Sequence, residues 1–465
     1  MNRVVIFGAG PAGLTAGYES LEAGLPATVI EQDRQVGGIA RTVEHHGCLF
    51  DVGGHRFFTK HARIQARWEE WLGPAFRQRP RLSRIYYGGR FFDYPLKPLN
   101  ALTNLGPLES ARVMLSYLAA KIRPARRAVS FEDWITDRFG KRLFQMFFKT
   151  YTEKVWGINC RELRADWAAQ RIKTLTLGKA ALDSFGLMKN DKVPSLIESF
   201  HYPDRGPGQM WERVADLIRA RGGRVDLASR VVRVKHIPGR VTGAVVEDVR
   251  GRSEVAGEHF ISTLPLKDLV LSLDPAPPDA VISAASGLRY RDFFTVGLVL
   301  AKPDVFPDNW IYIHSPDVLV GRMQNFKNWS PQMVSSAARS SLGLEYFCFD
   351  RDPIWREHDE ILIGRAASEV RILGLGDPGA ALDGIVIRAP KAYPIYDEGY
   401  KDRVAVIRDH LSSYSNLQTV GRNGLHRYNN QDHSMLTAIA AVRNILGDDG
   451  TAWDINMDDS YHESG

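Results

Sequence analysis

The chain has 465 residues, of which 44% are hydrophobic and 25% are charged, and its formal net charge is +6. This composition is ordinary for a globular enzyme, and the length allows two or three domains with substantial cores. The modest positive charge is compatible with a nucleotide, a membrane surface or a nucleic acid as ligand and does not choose among them. No apolar run reaches the roughly 18 residues of a spanning helix, so we expect no transmembrane segment.

The cysteines and the amino terminus bear on compartment and metal binding. Cys48, Cys160 and Cys348 lie far apart in the sequence and show no CxxC or metal-ligand spacing. We therefore expect no metal site and a reducing compartment, the cytoplasm. The apolar opening residues are assigned to a first strand, so we expect no signal peptide.

The chain opens with an apolar strand, a glycine-rich turn and a helix. The pattern Gly-x-Gly-x-x-Gly is formed by Gly8, Gly10 and Gly13. In a dinucleotide-binding βαβ unit these glycines permit the tight turn, the close approach of a pyrophosphate and the packing of helix on strand. The helix that begins at Pro11 and Ala12 would direct its free N–H groups at the phosphates.

Two further segments extend this pattern. Glu31 ends a second predicted strand, 18 residues after the last glycine, where a carboxylate can accept hydrogen bonds from a ribose. The run R-x-x-G-G-x-x-x-T from Arg34 to Thr42 then resembles the second signature of flavin enzymes of the glutathione-reductase, amine-oxidase and mutase kind. This resemblance implies FAD as the dinucleotide. In that family Gly38 and Arg41 lie near the phosphates, and Gly54 and His55 continue toward the isoalloxazine.

The middle of the chain changes from strand to helix signals. Gly88 and Gly89, between two aromatic runs, predict a β-hairpin, and a helical period extends from about residue 107 to 182. The segment Ala111 to Arg123 has helical periodicity and a basic end. Packing in a helical bundle is the favoured interpretation, and contact with a membrane interface is the alternative.

The second half predicts a return to the nucleotide domain and then a sheet. Residues 230–234 and 260–264 read as strands, and in flavoproteins of this class Val231 would touch the adenine. A third FAD contact is expected from a glycine turn and helix near the end, with the residues Arg422, Asn430, Gln431, Asp432 and Ser434.

These signals together predict an α/β fold with a Rossmann-like FAD-binding domain of the glutathione-reductase type. That domain is expected to be discontinuous, comprising residues 1–95, 195–265 and 405–465. A helical domain would occupy residues 96–194, and an antiparallel sheet domain that binds substrate would occupy residues 266–404.

The order of motifs over nearly the whole chain resembles the UDP-galactopyranose mutases, in particular their eukaryotic-type branch. The segments that carry the likeness beyond the FAD signatures are 50–55, 151–156, 170–172, 310–312, 321–322 and 430–434. The resemblance implies that Arg171 and Arg322 clamp a substrate diphosphate, for which guanidinium groups are suited because they bind bidentately and stay charged. His55 matches a histidine beside the isoalloxazine. The residues that match positions near the substrate are Trp156, Trp310, Tyr312, Tyr393 and Tyr428.

The implied activity is interconversion of the pyranose and furanose forms of a nucleotide sugar, through a covalent adduct between N5 of reduced FAD and the sugar. NADPH or NADH would reduce the flavin, and no nucleic acid partner is expected. A flavin oxidoreductase resembling amine oxidases, protoporphyrinogen oxidases or desaturases is the alternative, and a non-catalytic FAD-binding or membrane-associated protein is a third. The sugar, the base and the oligomeric state stay open.

Overall fold

A computed structural model describes residues 3–94, 96–122, 128–163, 165, 198–376 and 381–456. The strands are β1 Val4–Phe7, β2 Ala27–Ile30, β3 Thr42–His45, β4 Cys48–Asp51, β5 Phe76–Pro80, β6 Ser83–Tyr87, β7 Arg90–Asp93, β8 Ser199–Pro203, β9 Arg224–Asp226, β10 Arg230–Ile237, β11 Arg240–Asp248, β12 Gly251–Ala256, β13 His259–Ser262, β14 Leu273–Asp274, β15 Tyr290–Leu300, β16 Trp310–Ile313, β17 Arg322–Asn325, β18 Ser340–Cys348, β19 Ala381–Pro394 and β20 Leu417–Thr419. The helices are α1 Pro11–Glu22, α2 Ala62–Leu72, α3 Pro98–Leu105, α4 Pro107–Ile122, α5 Phe131–Phe139, α6 Lys141–Leu143, α7 Thr150–Trp156, α8 Gly208–Ala220, α9 Leu266–Ser272, α10 Asp279–Ser286, α11 Phe326–Trp329, α12 Asp359–Ile372, α13 Tyr400–Leu411, α14 Gly421–Gly424 and α15 Gln431–Ile445.

A five-stranded parallel sheet with the order β20-β13-β1-β2-β9 forms the nucleotide-binding core. Its central strand β1 is fully buried, as the continuous apolar run Val-Val-Ile-Phe predicts for a parallel strand covered on both faces. Strands from the beginning, middle and end of the chain thus share one sheet. The α/β fold with a Rossmann-like core is confirmed.

A seven-stranded sheet with the order β19-β15-β18-β17-β16-β6-β7 forms the second layer. Its neighbours pair antiparallel except for β16 and β6, which pair parallel. The hairpin predicted at Gly88 and Gly89 is confirmed as β6 and β7. The sequence places this hairpin in the FAD-binding segment 1–95, whereas the structure pairs it with the seven-stranded sheet. Sequence proximity assigned it to the first domain, and strand pairing assigns it to the second.

Helices α3 to α7 occupy the predicted helical region, joined between α6 and α7 by a π-helix over Phe144–Lys149. Helix α5 begins at Ser130, whose side chain accepts a hydrogen bond from the N–H of Asp133, a capping arrangement that fixes its start. The remainder of the predicted helical domain, from 166 to 194, lies outside the described residues. Helix α4 packs against α3, α5 and α6, which agrees with the bundle interpretation of residues 111–123, and its outer face is left exposed while Val113 is buried.

Two short two-stranded sheets accompany the larger sheets. Strands β3 and β4 form the hairpin that leads into the loop at Gly53, and β5 pairs with β8. A four-stranded sheet has the order β12-β11-β10-β14. Its apolar residues belong to the same buried cluster as Val5 and Phe7 of β1, so it covers one face of the parallel sheet. Across the described parts of the chain, no helix has the length and apolar character needed to cross a membrane.

Candidate functional site

The first glycine turn has the tight geometry that a dinucleotide cradle requires. Gly8 adopts φ +99°, and a Cβ added there would lie 2.1 Å from Oγ1 of Thr263. A Cβ on Gly13 would lie 1.8 Å from the carbonyl oxygen of Gly8, so helix α1 packs directly against the strand. A Cβ on Gly10 would meet nothing closer than Cα of Gly38 at 3.9 Å. Gly8 and Gly13 are therefore required by the protein's own packing, and Gly10 leaves space beside the turn.

The other two glycine segments meet this turn. Gly38 faces Gly10, and Gly421, with φ +83°, lies so that an added Cβ would be 3.0 Å from Cβ of Ala12. The side chain of Arg41 folds back, with Nη1 donating to the carbonyl oxygen of Gly38 at 2.8 Å. The three segments that the sequence motifs identified thus surround the amino-terminal end of α1, where free N–H groups and the helix dipole favour phosphate.

Glu31 lies at the end of β2, as predicted, and its carboxylate is bound by backbone groups. Oε2 accepts the N–H of Ala9 at 2.6 Å and Oε1 accepts the N–H of Asp33 at 2.9 Å. Burial raises the pKa of this carboxyl, and the two N–H donors oppose that rise. The carboxylate therefore fixes the turn, and its remaining lone pairs are the ones that could accept ribose hydroxyls.

The amino-terminal end of α15 carries the third predicted segment. Asn430 is the N-cap residue of this helix: its backbone carbonyl oxygen accepts the first helical hydrogen bond, from the N–H of Ser434 at 3.0 Å, and its own N–H donates to Nδ1 of His433 at 3.3 Å. Gln431 Oε1 accepts Nε1–H of Trp211 at 2.8 Å, and Asp432 Oδ1 accepts the N–H of His433 at 2.9 Å. These contacts hold the helix end in place, where the helix dipole favours an anionic ligand. Val231, predicted near the adenine, lies on β10 and packs against the apolar cluster beside β1.

A buried carboxyl anchors the loop between the cradle and the substrate side. Asp51 ends β4, where Thr42 Oγ1 donates to it at 2.8 Å and the hydroxyl of Tyr202 donates to its other oxygen. Complete burial raises the pKa of Asp51 to about 7, and the two donors oppose the rise. This network fixes the chain immediately before Gly53, Gly54 and His55.

His55 is half-buried, and its surroundings favour the neutral imidazole. Burial and the nearby cations Arg422 and Arg322 lower its pKa to about 3, against the small opposite effect of a contact with Gly53. The Nδ1 atom lies 3.3 Å from the carbonyl oxygen of Gly53. Because a carbonyl only accepts, Nδ1 carries the proton, and Nε2 is left as an acceptor toward the space above the loop.

Arg322 forms a bidentate ion pair with a glutamate that the sequence analysis did not select. Its Nε and Nη2 donate to Glu345 at 2.9 and 2.5 Å, and the two residues are direct partners across β17 and β18. Burial alone would lower the pKa of Arg322, but the attraction of the Glu345 carboxylate outweighs burial and raises the pKa above its usual value. Gln324 also donates to Glu345, at 2.7 Å, and its Oε1 accepts no hydrogen bond from the described residues. The Gln324 side chain lies against Gly54, so an unsatisfied acceptor faces the loop at residues 53–55, called the flavin loop below.

A second guanidinium group lies across from this pair, on aromatic rings. Arg422 sits 5.5 Å from the ring centre of Tyr393 and 4.6 Å from that of Tyr428. The two tyrosines stack at 5.6 Å with an interplanar angle of 12°, and Trp156 packs edge-on against Tyr393. Arg422 is positioned through its donor bonds to the carbonyl oxygens of Asn429 and Ala392. Trp156, Tyr393, Arg422 and Tyr428, from three parts of the chain, therefore come together near His55.

An aromatic wall extends the site away from the loop. Tyr312 contacts Tyr94 at 4.5 Å and Tyr151 at 5.5 Å between ring centres. Trp310 lies edge-on to Tyr312, and Arg81 lies 5.5 Å from its ring. The wall thus combines flat apolar surfaces with positive charge. Arg171, the other predicted clamp residue, lies outside the described residues.

Sequence reasoning missed several polar residues of this site. Glu345 lies within the apolar strand Ser-Ser-Leu-Gly-Leu-Glu-Tyr-Phe-Cys, and a lone acid in such a strand is the signal that could have identified it. Lys154 donates to the carbonyl oxygens of Ser315 and Val320 at 2.6 and 3.2 Å, and burial lowers its pKa to about 8. Lys154 therefore ties α7 to the loop that follows β16.

A family model of flavin containing amine oxidoreductases matches residues 11–362. The chain belongs to this family. An L-amino-acid oxidase from Sistrurus catenatus edwardsii is 30% identical over 132 residues, 25% of this chain and 26% of that protein. The chain thus matches about a quarter of that relative's length. Membership in the flavin amine oxidoreductase family implies a flavin cofactor.

Solved structures share the fold over nearly the whole chain. A reduced UDP-galactopyranose mutase superposes with a TM-score of 0.83 at 21% identity, covering 96% of this chain and 94% of that one. A protein from Exiguobacterium sp. 255-15, assigned as a protoporphyrinogen oxidase, superposes with a TM-score of 0.72 at 17% identity, covering 96% and 98%. At these identities the likeness establishes the fold and leaves the reaction open.

The described residues fit a flavin dinucleotide. The space at Gly10, the two helix ends at α1 and α15, and the carboxylate of Glu31 provide the phosphate and ribose contacts that such a cofactor needs. The unsatisfied oxygen of Gln324 lies against Gly54, and His55 follows in the same loop, so this loop offers polar groups to the ring.

Proposed function

We propose that this flavoenzyme interconverts the pyranose and furanose forms of a nucleoside-diphosphate sugar. The observation that carries the proposal is the pair of guanidinium groups, Arg322 and Arg422, half-buried near tyrosines beside the loop that contains His55. An amine without an acidic group would gain little from two such cations. A diphosphate gains charge-assisted, bidentate hydrogen bonds.

The roles of the residues follow from their surroundings. A reduced flavin, with NADPH or NADH as its source of electrons, would supply a nucleophilic ring nitrogen next to the anomeric carbon. Arg322 and, from the sequence, Arg171 would hold the departing diphosphate close enough to recombine with the sugar. Tyr393 and Tyr428 would donate to its oxygens, because burial raises the pKa of Tyr393 and keeps its hydroxyl protonated.

The aromatic wall would bind the remainder of the nucleotide. Tyr94, Tyr151 and Tyr312 present ring faces and edges within one cluster, which suits a planar base. Trp310 Nε1 donates no hydrogen bond to the described residues and is a further donor for the sugar or base. The base and the sugar themselves are not specified by these contacts.

Net oxidation of a substrate by the flavin is the second candidate, and the Arg322–Glu345 pair favours it. Glu345 neutralises Arg322 at close range, which reduces the attraction of the site for a diphosphate. In the mutase proposal a diphosphate would bind the remaining Nη1 face of Arg322 while Glu345 keeps the guanidinium plane fixed. In an oxidase the pair would be a structural support.

Positional isotope exchange distinguishes the two. Uridine, guanosine and thymidine diphosphate sugars, each with ¹⁸O in the sugar–phosphate bridge, are incubated anaerobically with dithionite-reduced protein. We expect one of them to transfer the label to nonbridging positions of the β-phosphate, seen by ³¹P NMR, and only with reduced protein. No exchange with any sugar, together with stoichiometric bleaching of oxidised flavin by an amine, would overturn the mutase proposal.

A further inference from the structure

Helix α4 carries a continuous apolar stripe on its outer face. The stripe consists of Leu108, Leu115, Leu118 and Ile122, whose exposed fractions are 65%, 67%, 50% and 78%. Their spacing of seven, three and four residues puts them on one face of a helix. Val113, the buried residue of this helix, lies on the opposite face. The helix therefore packs on the protein by its narrow inner face and presents its apolar residues outward.

Positive charge lines both edges of this stripe. Arg112 follows one edge and Lys121 the other, and Glu109 is the one acidic residue among positions 107–122. Glu109 is itself bound by Arg112 at 2.5 Å and by Arg142 at 2.7 Å. An apolar face between two basic edges is the pattern of a helix that lies in the headgroup region of a membrane.

A basic cavity adjoins the stripe. It has a volume of about 330 Å³ and is lined by Arg112, Ser116, Lys141, Arg142 and Gln145. Of its three cations, Arg112 and Arg142 pair with Glu109 and Lys141 is the third, so positive charge exceeds negative charge among these residues. Its position at the edge of an apolar stripe suits a phosphate group that is attached to acyl chains.

We propose that α4 docks the protein on an anionic phospholipid surface. The stripe would enter the boundary between headgroups and acyl chains, and the cavity would take a lipid phosphate. A second copy of the chain fits less well, because pairing two such faces would bring basic edges together, and Glu109, the one acidic residue of the helix, is already paired with Arg112 and Arg142. With 16 residues, α4 is shorter than the roughly 20 residues that a membrane-spanning helix needs, so it would lie along the membrane surface.

Vesicle flotation of the full-length, flavin-loaded protein tests this proposal. The probes are vesicles of phosphatidylcholine alone and vesicles in which phosphatidylglycerol replaces one third of it. We expect binding to the anionic vesicles that weakens as salt is added, and little binding to the neutral ones. Binding to neither kind, or equal binding to both, would overturn it.

Matched variants localise the effect. Leu115→Glu combined with Leu118→Glu should weaken binding more than tenfold, since each leucine would leave the acyl boundary. The control combines Ile361→Glu and Ile372→Glu on α12, which are 53% and 60% exposed and should leave binding unchanged. An equal loss in both double variants, or none in the first, would contradict a role for α4.

Two further experiments test the role of the basic residues and the alternative of a dimer. Arg112→Gln and Lys141→Gln should each weaken binding about fivefold, because a cation near an anionic surface contributes roughly that factor. Flavin absorbance and the thermal transition, measured for every variant, verify that the fold is intact. If sedimentation shows a dimer that the leucine variants dissociate while vesicles do not bind, the stripe is an interface between copies and the membrane proposal is wrong.

Discussion

The nucleotide cradle and the substrate site differ in what they are made of. The cradle is built from backbone atoms of Gly8, Gly10 and Gly13, which are close in sequence. At Gly8 and Gly13 an added Cβ would collide with neighbouring atoms, so only glycine fits. The substrate site is built from side chains, and its central pair, Arg322 and Glu345, meets only because β17 pairs with β18. The first kind of site is encoded by short motifs, and the second by strand register.

The largest effect is expected on the substrate side, from Arg322→Ala. Turnover should fall roughly 10²–10³-fold because one donor to the leaving group is lost. The free energy of unfolding should also fall by about 3–5 kcal/mol, since Glu345, which is fully buried, is left without its charge partner. Turnover and chemical denaturation measure the two losses separately.

A double variant separates the roles. Arg322→Ala with Glu345→Gln should recover most of the stability, because no unpaired charge remains, and none of the turnover. Wild-type turnover in either variant would show that Arg322 does not contact the reacting substrate.

The matching test on the cradle compares Gly13→Ala with Gly10→Ala. At Gly13 a Cβ would collide with the carbonyl oxygen of Gly8, so we expect a loss of about 1–3 kcal/mol in stability and loss of flavin. At Gly10 the same methyl group meets only open space, so stability should be unchanged while flavin affinity falls. Thermal melts and flavin content report both, and normal flavin retention in Gly10→Ala would move the pyrophosphate away from this turn.

These two regions also show what the sequence could predict. Glycine spacing, the acid at Glu31 and the apolar strand β1 identified the cradle, because backbone geometry limits which residues can stand there. Arg322 and Tyr393 were found only through family resemblance, and Glu345 and Gln324 were missed. A local sequence pattern does not identify a hydrogen-bond partner on a neighbouring strand, because strand pairing is decided by the whole fold.

Helix α4 illustrates a different limit. Its period predicted a helix, and the structure has one at Pro107–Ile122. The same period predicted packing in a bundle, and α4 does contact α3, α5 and α6, yet its leucines face outward. Periodicity states that one face is apolar, and it does not state what covers that face. The hairpin at Gly88 was likewise predicted correctly in its local structure and assigned to the wrong sheet.

The junction between the two regions gives a pH-dependent prediction. Folding raises the pKa of Asp51 from 3.8 to about 7, so the folded chain binds a proton more tightly than the unfolded chain. The contribution of Asp51 to stability is therefore fully present below about pH 4 and is lost as the pH rises through about 7. Asp51→Asn keeps a neutral group here and should flatten the dependence of the unfolding free energy over this range. An unchanged pH profile in denaturation experiments would contradict a buried, protonating Asp51.

The smallest effect is expected where the substrate site relies on stacking. Tyr428→Leu removes the parallel contact with Tyr393 at 5.6 Å and the ring face under Arg422, while the leucine still fills part of the volume. We expect a loss of about 0.5–1.5 kcal/mol in stability, the usual value of an aromatic pair. If the tyrosine also donates to a diphosphate, Tyr428→Phe should keep this stability and still raise KM. Equal KM values for Tyr428→Phe and the wild type would restrict Tyr428 to supporting Arg422, and the difference between the two variants thus separates packing from recognition at one position.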